Sequence, residues 1–168
     1  MKKNLILVGL LLLGAVPAYP ADLKESEAGF VFSATRLDKN IRPGYGGRLL
    51  HNYNPIWAFE MQGSFYPVNQ ALNVFTGTFD FKGTCRLEDR YKVNLFGLLG
   101  PGIFIADPGK GIPDGRNHYR FAVNAGGGFE VVPDPKIAIR ADFTDLMVFH
   151  KGEGNHNLDF KLALMYRW

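Results

Sequence analysis

Cysteine is nearly absent. Cys85 stands alone among 168 residues, so no internal disulfide can form and the fold holds without covalent staples. Its simplest reading is a small apolar residue near a strand end. Serine is scarce as well: Ser26, Ser33 and Ser64 are the only three, which leaves few candidates for a hydroxyl nucleophile. One long apolar run exists, residues 5–16, and its twelve residues fall short of the about 20 that a helix needs to cross a bilayer. Charge of one sign is not clustered. The net charge of +3 includes Lys2 and Lys3, the remaining bases are interspersed with acids, and no nucleic-acid partner is expected.

What is present begins with an address. A basic start at Lys2 and Lys3, the apolar run, and small residues around Val16-Pro17-Ala18 and Ala21 read as a secretory signal peptide over residues 1–21, cleaved after Ala18 or Ala21. A retained membrane anchor is the competing reading. No Cys lies near the cleavage site, which argues against a lipoprotein anchor. Residues 22–168 are then one domain by length.

Period-two alternation dominates that domain. At the C-terminus Leu158, Phe160, Leu162, Leu164, Tyr166 and Trp168 share one face, while Asp159, Lys161, Ala163, Met165 and Arg167 share the other. An unbroken apolar face opposite charge suits a wall between hydrocarbon and a polar interior. A strand in lipid cannot leave an open edge, so such strands must close into a barrel. Seven further segments alternate, at about 28–35, 45–52, 56–66, 74–86, 91–106, 118–131 and 136–144. In the third, Trp57, Phe59, Met61 and Phe65 oppose Ala58, Glu60, Gln62 and Ser64. In the fourth, Phe75, Phe79 and Phe81 oppose Thr76, Thr78, Asp80 and Lys82. A mean hydropathy of −0.07 fits, because alternation cancels the average.

The connections alternate too. Short turns with Asn, Asp and Pro chemistry are expected at 52–55, 87–90 and 133–135, and longer loops at 36–44, 67–73, 107–117 and 145–156. The expected fold is therefore an all-β, eight-stranded, antiparallel up-and-down transmembrane barrel. Its termini and short turns would be periplasmic and its long loops extracellular. Glycines at 97, 100, 102 and 126–128 lie inside strands 5 and 6, where a narrow barrel needs curvature. A phosphate loop at Gly126-Gly127-Gly128 lacks the Lys and the following helix that this chemistry requires. A soluble lipocalin-like barrel is the fold-level rival. The inward charges, the unequal connections and the terminal aromatic speak against it.

Three stretches carry a resemblance to a known family. Gly46-Gly47-Arg48-Leu49-Leu50 through Asn54-Pro55-Ile56-Trp57-Ala58-Phe59-Glu60-Met61 is the first; Phe121 to Glu130 with Pro135 to Asp142 is the second; His156-Asn157-Leu158 onward is the third. Together they resemble the OmpA-type small eight-stranded outer-membrane barrels, in the barrel domain only, since the family's peptidoglycan-binding domain has no counterpart here. Leu164, Tyr166 and Trp168 resemble the terminal assembly signal of bacterial outer-membrane barrels. The resemblance implies a Gram-negative outer-membrane location, lipid contacts, recognition by the barrel-assembly machinery and a monomer. It also implies that Glu60 and Arg140 pair inside the barrel.

Eight strands enclose an interior that side chains can fill. Inward Glu60, Asp80, Lys82, Arg120, Glu130, Arg140, Asp142 and Lys161 are expected to form a charge-paired filling, because an unpaired buried charge costs several kcal/mol. That composition points to a structural, envelope-integrity or surface-interaction role with at most a narrow, low-conductance channel. No catalytic residue, cofactor or metal is expected. The alternative is a lipid A-modifying barrel enzyme, a deacylase or acyltransferase, for which Ser64 with His118 is the best available pairing. His150 and His156 with Asp145 or Glu153 is a conceivable metal group, with a solvated loop as the plainer reading.

Overall fold

The computed structural model describes residues 26–37, 40–69, 72–88, 92–108, 118–150 and 153–168. The expected signal peptide and Tyr91 lie outside the described residues. Eight strands follow one another: β1 (Ser26–Leu37), β2 (Asn40–Asn52), β3 (Trp57–Asn69), β4 (Leu72–Glu88), β5 (Val93–Pro108), β6 (His118–Asp134), β7 (Ile137–His150) and β8 (Glu153–Arg167). Each pairs antiparallel with the next, and β1 pairs with β8 from Glu27↔Arg167 to Thr35↔Asp159, closing the barrel. Ser26, at the start of β1, and Trp168, just after β8, extend this closing pair: each backbone N–H donates to the other's carbonyl, at 3.3 and 3.0 Å.

Alternation sets the two faces as the period predicts. Phe59, Met61, Phe79, Phe81, Phe160, Leu162 and Leu164 are exposed on the outside, whereas Glu60, Gln62, Asp80, Lys82, Lys161 and Ala163 are buried within. Aromatic rings on the outer face pack across strands, with Trp57 stacked on Phe81 and Phe65 against Phe75, both at 4.7 Å between centroids. Such cross-strand pairs add to the ladder and hold register. At the β2–β3 turn, Asn54 Oδ1 accepts the N–H groups of Ile56 and Trp57 at 2.9 and 2.8 Å, as the Asn-Pro sequence implies.

Three of the four expected long loops are not loops. β1 and β2 pair as far as Leu37↔Asn40, β3 and β4 as far as Asn69↔Leu72, and β7 and β8 as far as His150↔Glu153. Two residues separate the strands at each of these hairpins; a longer connection, 109–117, remains between β5 and β6. The physical reason is that alternation reports what surrounds the side chains, whereas the ladder needs only backbone partners. Around 145–149 both faces are partly apolar: Leu146 and Val148 point inward while Met147 and Phe149 point outward. The period disappears although the strand continues.

The interior is layered. Val31, Leu50, Ala58, Val132, Ala138, Ala163 and Met165 form an apolar cluster toward the end that carries the termini. Leu37, Tyr66, Val74, Phe104, Ala122, Leu146 and Val148 form another toward the opposite end. Buried charged and polar residues fill most of the remaining interior.

Two glycines show opposite reasons for their smallness. A Cβ on Gly128 would collide with the Ala141 backbone, so close strand approach demands glycine there. A Cβ on Gly63 meets nothing within 4 Å, so nothing inside the barrel demands it. Gly63→Ala is expected to stabilise the fold by about 0.5–1 kcal/mol through reduced chain entropy. Urea unfolding of the refolded protein in bilayers reads this, and a destabilised variant would refute it.

Candidate functional site

The middle of the lumen is built by inward positions of β2, β3 and β7. Glu60, from β3, sits between two guanidinium groups: Arg48 Nε at 3.0 Å and Arg140 Nη1 at 2.7 Å. Asp142 Oδ2 also contacts both, Arg48 Nη2 directly and Arg140 Nη2 at 3.4 Å. The four side chains form a closed ring of two acids and two bases, each at most 1 % exposed. Gln62 Oε1 accepts a further hydrogen bond from Arg48 Nε at 3.2 Å. Two guanidinium forks shared by two carboxylates balance the buried charge, which an ion pair out of water requires, while Arg48 Nη1, Glu60 Oε1, Arg140 Nε and Asp142 Oδ1 have no hydrogen-bond partner among the described residues.

A second pair lies beside the ring. Lys82 Nζ is 3.0 Å from Glu130 Oε2, and Asn94 Nδ2 donates to Glu130 Oε1 at 3.1 Å. Phe96, inward on β5, presents its ring to both groups: the Arg140 guanidinium carbon lies 4.1 Å from its ring centroid and Lys82 Nζ 4.9 Å. The ring face supplies both cations with an attractive partner where water is excluded. Toward the apolar end away from the termini, Tyr66 donates to Asp159 Oδ2 at 2.7 Å, and Lys161 Nζ lies 3.5 Å from the same oxygen. Near the termini Arg167 Nε reaches Glu27 Oε1 at 2.9 Å.

Of the eight charges expected inside, Glu60, Lys82, Glu130, Arg140, Asp142 and Lys161 enter ion pairs. Asp80 is buried without a base among the described residues. Arg120 departs from the expectation. It occupies an inward position but is only half-buried, and it makes no ion pair among the described residues, because its strand has reached the mouth of the barrel. The sequence reading missed Arg48, Phe96 and Tyr66. Arg48 hides in a glycine-rich stretch followed by Leu49-Leu50, where alternation is faint. The parity of Tyr45 and Leu49, both outward, is the signal that places it inside.

The enzyme pairing is not assembled. Ser64 is buried and accepts a hydrogen bond from Gln62 Nε2 at 2.9 Å, while His118 is exposed at the start of β6 and makes no hydrogen bond with Ser64. A different serine and histidine do meet: Ser26 Oγ is 3.1 Å from His51 Nδ1 at the exposed end near the termini, with no carboxylate on that imidazole among the described residues. His156 Nδ1 lies 2.6 Å from Asp145 Oδ2 on the outer face. No group of three or more His, Cys, Asp or Glu suited to a metal occurs among the described residues. The Glu153 side chain lies outside the description. Cys85 is half-buried and free near the end of β4.

A closed eight-stranded antiparallel barrel with an apolar exterior and a charged interior is the architecture of the small outer-membrane barrels. Among solved structures the chain is similar to the N-terminal β-barrel domain of OprF from Pseudomonas aeruginosa, with a TM-score of 0.66 at 9 % identity over 84 % of this chain and 97 % of that one. It is also similar to the Neisserial surface protein NspA, with a TM-score of 0.61 at 9 % identity over 85 % and 96 %. Ail, the attachment invasion locus protein of Yersinia pestis, gives 0.56 at 18 % identity over 85 % and 96 %. At these identities the likeness is one of fold. No family model matches the chain, and no curated protein matches it.

Proposed function

We propose that this chain is a monomeric outer-membrane barrel of a Gram-negative bacterium with a structural or surface-interaction role. Its lumen is a charge-paired filling rather than an open pore. The observation that carries the reading is the ring of Arg48, Glu60, Arg140 and Asp142, buried across the lumen between two apolar clusters. Ions crossing would have to break that ring and pass both apolar layers, so conduction is at most narrow and gated. The exposed aromatic and aliphatic exterior suits lipid acyl chains. The termini and short turns face the periplasm and the four hairpin connections face outward, where a surface partner would be met. Leu164, Tyr166 and Trp168, exposed on the outer face of β8, suit recognition by the barrel-assembly machinery.

The deciding experiment fractionates cells expressing the chain, then records planar-bilayer currents and lipid A hydrolysis from the refolded protein. Expected are heat-modifiable migration, outer-membrane recovery, small or no conductance, and no hydrolysis. Deleting Trp168 is expected to lower outer-membrane levels severalfold while leaving the already folded barrel stable. Recovery in the soluble periplasm, or steady hydrolytic turnover, would overturn the assignment.

A further inference from the structure

We propose that the outer wall binds one acyl chain of a glycerophospholipid in a furrow across β2, β3 and β4, with the headgroup at Ser26 and His51. This site rests on the reading of that wall as lipid-facing and gives one lipid a fixed place on it. Three outward glycines make the floor, aligned by register as Gly47↔Gly63↔Gly77. A row of large side chains flanks them on each side, Tyr45↔Phe65↔Phe75 and Leu49↔Met61↔Phe79. Over the glycines lies a hollow of about 750 Å³, which Ala28, Pro101 and Ile103 also line. A second hollow, of about 300 Å³, shares Leu49, Met61 and Phe79 with the first. It reaches Ser26, His51 and Trp168 at the end that carries the termini.

The fold itself does not ask for these glycines. A Cβ on Gly63 meets nothing within 4 Å, and one on Gly47 meets only Gly29 O at 3.9 Å. At Gly77 the nearest atom is a side-chain methyl, Ile103 Cγ2 at 3.2 Å. Gly127, outward on β6, is different, because its Cβ would strike the Phe96 carbonyl oxygen. Glycine inside a strand costs chain entropy and gives up a packing side chain. Three aligned glycines with open space above them therefore answer to something outside the wall.

Shape and surroundings select the occupant. The flanking rows are four residues apart along each strand, about 13 Å between Cα atoms, and their side chains narrow the slot further. A single hydrocarbon chain can lie in it. A second barrel would bring a convex wall that rests on the two ridges and leaves the floor uncovered. The furrow is continuous with the lipid-facing wall, ending at Phe30 on β1 and Ile103 on β5, both exposed. Barrel strands tilt by about 35–45°, so a row that crosses them is inclined as well. A chain in the furrow can thus run down toward the terminal end. There Ser26 Oγ lies 3.1 Å from His51 Nδ1. With the serine hydroxyl donating to Nδ1, the imidazole keeps its proton on Nε2 and offers it to a phosphate or glycerol-ester oxygen. A headgroup at that end belongs to the periplasmic leaflet.

The test refolds the full chain into phosphatidylethanolamine–phosphatidylglycerol vesicles. A fraction of the phosphatidylethanolamine carries a diazirine near the end of one acyl chain. Irradiation and peptide mapping compare labelling at Met61 and Phe79 with labelling at Phe160 and Leu162 on β8. That ratio is expected to fall severalfold in Gly63→Leu. The new side chain enters space free of protein atoms within 4 Å of its Cβ, so heat-modifiable folding is expected to persist. His51→Ala is expected to lower the ratio less. A ratio unchanged by Gly63→Leu would overturn the proposal. Equal labelling around the wild-type wall would overturn it too, while leaving the wall in lipid. No label on any outward residue would sink the lipid-facing reading as well. Competition by lipid A alone, or a dimer that Gly63→Leu converts to monomer, would give the furrow to an outer-leaflet lipid or a second copy, and either result overturns the assignment.

Discussion

Glu60→Ala and Arg140→Ala are each expected to destabilise the barrel by about 3–5 kcal/mol, and the double variant by clearly less than their sum. Removing Glu60 strands two guanidinium groups at once, because Arg48 at 3.0 Å and Arg140 at 2.7 Å both lean on it. Asp142 can then serve both bases only in part. Removing Arg140 leaves Glu60 with Arg48 alone, so its cost is expected to be the smaller of the two. Removing both leaves Arg48 with Asp142, a balanced pair. A double-mutant cycle from urea unfolding in bilayers measures the coupling. Additive losses would show that the ring contributes no pairwise energy. If the ring also blocks a water path, Glu60→Ala raises single-channel conductance in the same preparation; unchanged current leaves a passive barrel.

The second large effect tests the two faces of β4 with adjacent residues. Phe79 is exposed on the outer face, where it packs against Phe59 with ring centroids 5.8 Å apart. Phe79→Lys would put an ammonium into hydrocarbon and is expected to cost about 2–4 kcal/mol near the midplane. Thr78 points into the lumen and donates to Asp80 Oδ2 at 2.8 Å. Thr78→Lys is expected to cost much less, because its amine arrives beside Asp80, a buried carboxylate with no ion-pair partner among the described residues. Unfolding in bilayers of the two variants decides the matter: equal costs, or the reverse order, would mean that the faces are exchanged.

What was legible in the sequence is whatever depends on position modulo two. Phe59 outward with Glu60 inward, Phe79 outward with Asp80 inward, and Leu162 outward with Lys161 inward follow from the pleat. A strand alternates its side chains whatever it pairs with. Eight such segments and the ban on open edges in lipid then leave closure as the only solution. The turn at Asn54-Pro55 was legible for a similarly local reason, since the side chain bonds its own backbone two and three residues on.

The partners of each charge were decided only by the tertiary structure. That Arg48 is shared by Glu60 and Asp142, that the Phe96 ring meets both Arg140 and Lys82, and that Asp80 has no ion-pair partner among the described residues all depend on how far each strand slides past the next around the closed sheet. Parity is blind to that stagger, because a slide of two residues preserves every face and changes every neighbour. The same holds for the hairpins at Leu37↔Asn40 and His150↔Glu153, where backbone pairing continues after the side-chain period has ended. Alternation is a property of one strand in its surroundings; pairing is a property of two strands and the register between them.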